Sequence, residues 1–405
     1  MSFTETRAIL GNCLANAKLR LKASAFTRIR KLGAEDLVKI ILQKVYTSLQ
    51  LHLDDIYEDF EDIPVTKQAF SKARQQLDPE FVRYFADMTG KIAATDVGET
   101  YRGMEIIGVD GSDIALENTP ELKEAFGCSG SKKDAATALC SIAFTPKTHN
   151  IYDSQIAPYK SDERDLAKLH IQRLLELGKC GSLLLFDRWY PSAEFIKYCK
   201  DAGFHFVMRV RRKWNLEADA IVRKGYVFLS NGVRVRILKV VLPTGEIETL
   251  LTDLNQKQLP LSDAGELYFK RWQVETEYDL IKSKLELENF SGKTEVAVKQ
   301  DFFATIYIAN LIAFAAEEAD EAVKANDAGK SLKYERQANR NRAVHKLRKK
   351  FLIILTEPDE AIRDALLERL IARIALHPLP VVPDRSPKRK PPRKKRFYMA
   401  KKSVV

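Results

Sequence analysis

Near residue 100 the hydrophobic spacing of this chain changes from that of helices to that of strands, and the order of segments that follows restricts the fold. "YRGMEIIGVDGSDIAL" reads as a first strand ending near Asp110, "ATALCSIAFTP" as a second and "NIYDSQIAP" as a third, with turn residues Pro146 and Asn150 between the last two. An amphipathic helix, "SDERDLAKLHIQRLLELGK", starts at Ser161 or Asp162, and "GSLLLFDRWYPS" is a short apolar strand running into Asp187. A helix "SAEFIKYCKDAG" and a strand "FHFVMRVR" follow. Strand, strand, strand, helix, strand, helix, strand describes an α/β domain with a mixed sheet and flanking helices. Residues 212–258 alternate with period two around Asn231-Gly232 and Thr244-Gly245, which predicts a separate β-rich insertion.

The flanking regions are helical. Residues 1–90 carry a basic stretch, "KLRLKASAFTRIRK", an acidic one, "DDIYEDFED", and amphipathic segments with Thr66 as a helix cap. A small helical module of this kind can bind DNA, with the Lys67, Lys72, Arg74 face as a recognition helix, although most such faces simply meet water. After residue 258 come the segment "YFKRWQVETEYDLIK" (268–282), a buried helix "QDFFATIYIANLIAFAAEEA" and a helical region 321–380. Residues 381–405 form a tail; its part from Asp384 on holds +9 of the chain's net +11 and is broken by prolines, so an extended basic arm suited to phosphates is expected.

Length and composition exclude several classes. At 405 residues and 45% hydrophobic content the chain exceeds one core, so two or more domains are expected. The most apolar run, from Phe302, is about fifteen residues, short for a membrane span. No apolar signal region opens the chain, which predicts a cytoplasmic protein with no membrane association. Five cysteines without a C-x-x-C pair indicate neither a disulfide framework nor a zinc site.

Three carboxylates are candidates for chemistry. Asp110 belongs to an Asp-Gly pair, ordinarily a turn, and Asp187 emerges at the carboxyl end of an apolar strand, where α/β sheets place their sites. The third lies in residues 268–282. At about 100° per residue, Tyr268, Arg271, Glu275 and Lys282 share an arc of roughly 60° beside an apolar stripe of Leu267, Val274, Tyr278, Ile281 and Leu285. Glu277 falls about 160° from Glu275 on the same arithmetic and, like Lys270, is expected to face water. By themselves Arg271 and Glu275 are equally well a surface ion pair worth about 0.3–0.5 kcal/mol.

The spacing Tyr268-x2-Arg271-x3-Glu275-x6-Lys282 resembles the Y-R-E-K signature of bacterial insertion-sequence transposases of the DDE class, in the family founded by insertion sequence four. "VDGS" at Asp110 and "FDRWYPS" at Asp187 resemble that family's two aspartate motifs, with weaker similarity in "AFSKAR", "SDERDLAKLH", "FVMRVRRK", "LLTDL" and "FSGK". The resemblance implies an RNase H-like catalytic core, residues 100–211 and 259–320, interrupted by the β-rich insertion, preceded by an N-terminal helical DNA-binding domain and followed by a C-terminal helical region. It implies Asp110, Asp187 and Glu275 as catalytic and metal-binding residues for two Mg2+ or Mn2+ ions; three carboxylates and a phosphate need such cations to balance them. It further implies that Tyr268, Arg271 and Lys282 hold DNA at the cleaved end, with Arg188 and Arg209 as secondary backbone contacts. The expected activity is cut-and-paste DNA transposition on inverted-repeat ends and target DNA, by at least a dimer in the synaptic complex, in the bacterial cytoplasm and at the nucleoid when DNA-bound. A nuclease on the same scaffold and a catalytically silent DNA-binding regulator are the alternatives. Trp189 and Trp272 are expected to pack rather than to touch bases, and Trp214 lies at the insertion's edge.

Overall fold

The computed structural model describes residues 32–43, 48–59, 65–130, 134–242 and 245–382. The basic stretch 18–31 and the basic arm from 383 onward lie outside the described residues, as do Cys13 and part of the acidic stretch. The chain divides into two compact units, one of residues 1–85 and 282–405 and one of residues 86–281.

The first unit opens with α1 (Ala34–Leu42), α2 (Leu49–Asp59), α3 (Lys67–Arg74) and α4 (Pro79–Ala93), the last of which runs on into the second unit. Thr66 caps α3 as its sequence suggests, its hydroxyl accepting from the Ala69 N–H at 3.2 Å.

The second unit is built on a large mixed sheet. Its elements are β1 (Thr100–Tyr101), β2 (Met104–Ala115), α5 (Pro120–Phe126), β3 (Cys128–Ser129), β4 (Ala135–Phe144), β5 (Ile151–Pro158), α6 (Glu163–Glu176), β6 (Leu183–Phe186), α7 (Ala193–Asp201), β7 (His205–Arg209), α8 (Leu216–Ala220), β8 (Lys224–Phe228), β9 (Arg234–Val241) and β10 (Ile247–Thr252). β4 pairs antiparallel with both β2 and β5, while β2, β6 and β7 run parallel through the crossover helices α6 and α7. Asp162, one of the two starts the sequence offers, caps α6, and Ser192 caps α7, each side chain accepting from a first-turn N–H. The fully buried run Leu183–Phe186 forms the central strand because a strand covered on both faces must be apolar throughout.

Two sequence expectations change here. β2 does not end at Asp110: β4 pairs with it from Gly108 to Ala115, so the Asp-Gly pair lies within a ladder rather than in a turn. Gly108 is required by that pairing, since a Cβ there would sit 2.5 Å from the Phe144 ring. β8, β9 and β10 also continue the central sheet, because β10 pairs antiparallel with β7 from Leu250↔Arg209 to Thr252↔Val207. After β10, α9 (Leu261–Phe269) buries Ala264, Leu267 and Tyr268 in a cluster with Ile106, Leu183, Leu185, Val207, Leu238 and Leu250. Each such large apolar side chain contributes about 1.5–3 kcal/mol by leaving water.

Residues 268–282 are not one regular helix. A 3-10 turn, Lys270–Trp272, separates α9 from α10 (Gln273–Asp279), and a π turn, Leu280–Lys284, follows. The tight turn and the wide turn break the constant 100° step, so the angles expected along this stretch do not hold.

In the first unit α11 (Glu295–Asp327) is long and apolar enough to cross a membrane, but 89% of its most apolar stretch is buried within the protein. β11 (Arg336–Gln337), α12 (Arg340–Thr356), α13 (Glu360–Ala375) and β12 (Leu379–Pro380) complete the unit, with α12 and α13 packed on α11. Arg74 is no part of an exposed recognition face: it is 1% exposed and forms an ion pair with Asp301 at 2.9 Å. Its guanidinium also donates to Gln300, to Ser291 at 2.6 Å and to the Ala297 carbonyl. "AFSKAR" and "FSGK", more than two hundred residues apart, therefore meet in one buried polar cluster.

Candidate active site

The parallel register Ile106↔Leu183, Ile107↔Leu184, Gly108↔Leu185 determines where the two aspartates lie. Asp110 lies on β2 two residues past the last of these pairs and Asp187 directly follows β6, near enough for its charge to act on the Asp110 carboxyl. The Asp110 carboxyl is pushed up to about 7, chiefly by burial and further by the charges of Asp187 and Glu163, against the pull of Arg271 and the Gly111 N–H. One Asp187 oxygen, Oδ1, is buried with no hydrogen-bond partner.

The segment after β10 brings cationic and aromatic groups to these acids. Arg271 Nη1 lies 3.4 Å from Asp110 Oδ2, with both side chains largely buried, and its Nε has no partner. Tyr268 is buried and donates to the Phe186 carbonyl at 3.2 Å, beside Asp187. Its hydroxyl is therefore engaged by the sheet, while its ring lies beside Arg271, whose guanidinium carbon is 5.6 Å from the ring centroid. Tyr278, assigned to the apolar stripe, donates to the Asp110 carbonyl at 2.8 Å and so fastens α10 to β2. Glu277 does not face water: it is 0% exposed and pairs with His149 at 2.9 Å. His149 adopts a left-handed φ of 64°, unusual for a residue with a side chain, at the turn before β5. Lys270 pairs with Glu99 at 2.6 Å. Glu275 lies on α10, but its side chain is outside the described residues; Lys282 sits in the π turn, at the start of the other unit.

Arg209 pairs with Glu248 on β10 at 3.0 Å. Burial raises Glu248, Arg209 and Arg271 lower it, and the charge of Asp187 raises it. Glu163, first residue of α6, lies against Gly111, where a Cβ would be 3.0 Å from its carboxyl carbon. Sequence reasoning assigned neither acid. Glu163 lies inside "SDERDLAKLH", read only as a helix start, and Glu248 is one of several charges on an alternating strand. Arg188 is exposed, and Trp189 is 55% exposed instead of packed.

Among the described residues no group of three His, Cys, Asp or Glu side chains forms a metal-binding cluster. The aspartate pair nevertheless fits a cation. One orphaned carboxylate oxygen and a second carboxyl forced towards its neutral form by burial and neighbouring acids both gain from a positive charge, and their hard oxygen donors suit a divalent cation.

A family model described as "Transposase DDE domain" matches residues 101–311, just over half of the chain. The transposase InsG for insertion sequence element IS4 of Escherichia coli (strain K12) is 24% identical over 276 residues, covering 62% of this chain and 61% of that protein, less than two thirds of its length. A cryo-EM structure of the piggyBac transposase synaptic complex with hairpin DNA aligns with 94% of this chain and 83% of its own, at 11% identity and a TM-score of 0.46. The family model spans both aspartates and more than half of the chain, and the chain belongs to the transposase DDE domain family.

Proposed function

We propose that the protein is a DNA transposase that binds the inverted-repeat ends of its own insertion sequence, cleaves them and joins the 3'-ends to target DNA. The observation that carries this reading is Asp110 in reach of both the Asp187 charge and Arg271, with Glu275 on the helix that Tyr278 fastens to the same strand. The order β5-β4-β2-β6-β7, antiparallel across the first three strands and parallel thereafter, supports an RNase H-like core.

Asp110, Asp187 and Glu275 would hold two divalent ions, Mg2+ or Mn2+, which supply Lewis-acid activation of the attacking hydroxyl and neutralise the leaving oxygen. The protein's own groups hold this site in shape. Tyr268 fixes the Phe186 carbonyl and with it the departure of Asp187 from β6. Tyr278 and the His149–Glu277 pair, at adjacent positions after Glu275, anchor the helix that carries it. Arg271 keeps guanidinium N–H groups for a phosphate while its charge steadies Asp110. Lys282, Arg188 and Arg209 provide further positive charge for the DNA backbone. End recognition falls to the N-terminal helices and the basic arm, pairing of two ends implies a dimer, and the setting is the bacterial cytoplasm at the nucleoid.

The test is cleavage of linear DNA carrying an end of the element, with and without Mg2+, by the wild type and by Asp110→Ala, Asp187→Ala and Glu275→Ala. Each variant should lose at least about a hundredfold in rate. Undiminished cleavage by all three would overturn the assignment.

A further inference from the structure

On the face of the sheet that α6 covers lies a polar chain with no part in the chemistry described above. His170 of α6 and Ser141 of β4 are 0% exposed, and Asp153 of β5 is 4% exposed. His170 Nδ1 lies 2.5 Å from Asp153 Oδ2, its Nε2 lies 2.9 Å from Ser141 Oγ, and Ser141 Oγ lies 3.2 Å from the Asp110 carbonyl oxygen. Gln155 donates to the same Asp153 oxygen at 2.9 Å. The chain therefore runs across β5 and β4 and ends on the backbone of the first aspartate.

Asp-His-Ser in hydrogen-bond order is the arrangement of a nucleophilic triad, but at this depth no substrate reaches the hydroxyl. Its neighbour is the Asp110 carbonyl, which can only accept. The one hydroxyl proton of Ser141 therefore belongs between the two oxygens, which would otherwise repel at 3.2 Å. The contact to His170 then requires a proton on Nε2, and Nδ1, facing a carboxylate, carries the other. The buried pair is an imidazolium and a carboxylate with no net charge. A neutral ring accepting from Ser141 at Nε2 would put net negative charge on a pair in the core and would turn the hydroxyl away from Asp110.

Successive residues of a strand face opposite sides of its sheet. Gly111, paired with Ser141, faces α6, where a Cβ would lie 3.0 Å from the Glu163 carboxyl carbon, and Asp110 turns the other way, to Arg271 at 3.4 Å. The Asp110 carbonyl is thus the shared acceptor of two hydroxyls, Ser141 from the α6 side and Tyr278 from α10 at 2.8 Å. Two donors on one carbonyl fix the peptide plane that follows Asp110, and with it the direction in which the carboxyl leaves β2.

We propose that His170, as an imidazolium paired with Asp153, is a positioning residue for Asp110: it holds the Ser141 hydroxyl with its proton turned to the Asp110 carbonyl, so that the carboxyl is already aimed when a divalent cation arrives. The role rests on the transposase reading, which makes Asp110 a metal ligand. The protonation of His170 does not depend on it.

Imidazole nitrogen NMR of the full-length, histidine-labelled protein, metal-free at pH 8, reads the ring directly. His170, assigned by the resonance that moves in Ser141→Ala, should carry protons on both nitrogens in the wild type. Calorimetric titration should show Ser141→Ala binding Mn2+ about tenfold more weakly, while its metal-free affinity for duplex DNA stays within about twofold of wild type. A singly protonated His170 at pH 8, or unchanged Mn2+ affinity in Ser141→Ala, would overturn the positioning role. A wild type that binds no Mn2+ at all would overturn the reading of Asp110 on which that role rests, and the NMR result, which needs no metal, tells the two failures apart.

Discussion

Replacing Asp110 with Asn should stabilise the metal-free protein, because the native carboxyl is held where its charge is unfavourable. Its ordinary value of 3.8 is raised to about 7, and at 1.36 kcal/mol per tenfold in proton affinity this sets a ceiling of about 4 kcal/mol. The sign follows from which state releases the proton more easily. Above pH 4 the unfolded chain ionises Asp110 freely while the folded chain resists until about pH 7, so the penalty on folding grows between those values and is constant above them. Asparagine carries no charge, keeps an oxygen for the Gly111 N–H now 3.0 Å from Asp110 Oδ1, and escapes the penalty. Urea unfolding in EDTA should show the variant more stable by about 2–4 kcal/mol at pH 8 and nearly equal to wild type at pH 4. Adding Mn2+ at a hundred times its dissociation constant should return about 2.7 kcal/mol to the wild type and much less to the variant. A gap that does not change with pH, or a variant no more stable at pH 8, would refute the reasoning.

Other perturbations probe separate parts of the structure. Arg74→Ala leaves Asp301 buried without its ion-pair partner and should destabilise the helical unit by about 3–5 kcal/mol in denaturant titrations. Gly108→Ala pushes a methyl into the Phe144 ring at 2.5 Å and should lower stability by about 1–3 kcal/mol, with recovery when Phe144→Leu is added. Tyr278→Phe removes the hydroxyl that donates to the Asp110 carbonyl; it should lower stability by about 1 kcal/mol and reduce the cleavage rate more than it weakens DNA binding.

The residue order announced the sheet but not its full extent. The run Leu183–Phe186 reads as a doubly covered strand and stands as one; of the two starts the sequence offers for the first crossover helix, Ser161 and Asp162, Asp162 is the cap, and the second helix, capped by Ser192, lies within "SAEFIKYCKDAG". Asp110 was read as a strand end because Asp-Gly commonly turns; the pairing with β4 that carries the strand past it is a long-range contact that local preference cannot show. The same limit hid Arg74 and Glu277. A charged residue on an amphipathic helix reads as solvated until the partner that neutralises it is known, and those partners, Asp301 and His149, lie more than a hundred residues away. The 3-10 and π turns that flank α10 left no mark in the apolar spacing, so a constant step of about 100° does not carry from Tyr268 to Lys282, although Tyr268 and Arg271 do lie side by side.

The central claim is that Asp110, Asp187 and Glu275 form one metal-binding constellation. Calorimetric titration of Mn2+ into metal-free protein at pH 8 addresses it without requiring knowledge of the DNA ends. Wild type should bind about two ions per chain, and Asp110→Asn, Asp187→Asn and Glu275→Gln should each weaken or abolish that binding. Unchanged Mn2+ binding in the Asp110 and Asp187 variants would contradict the account.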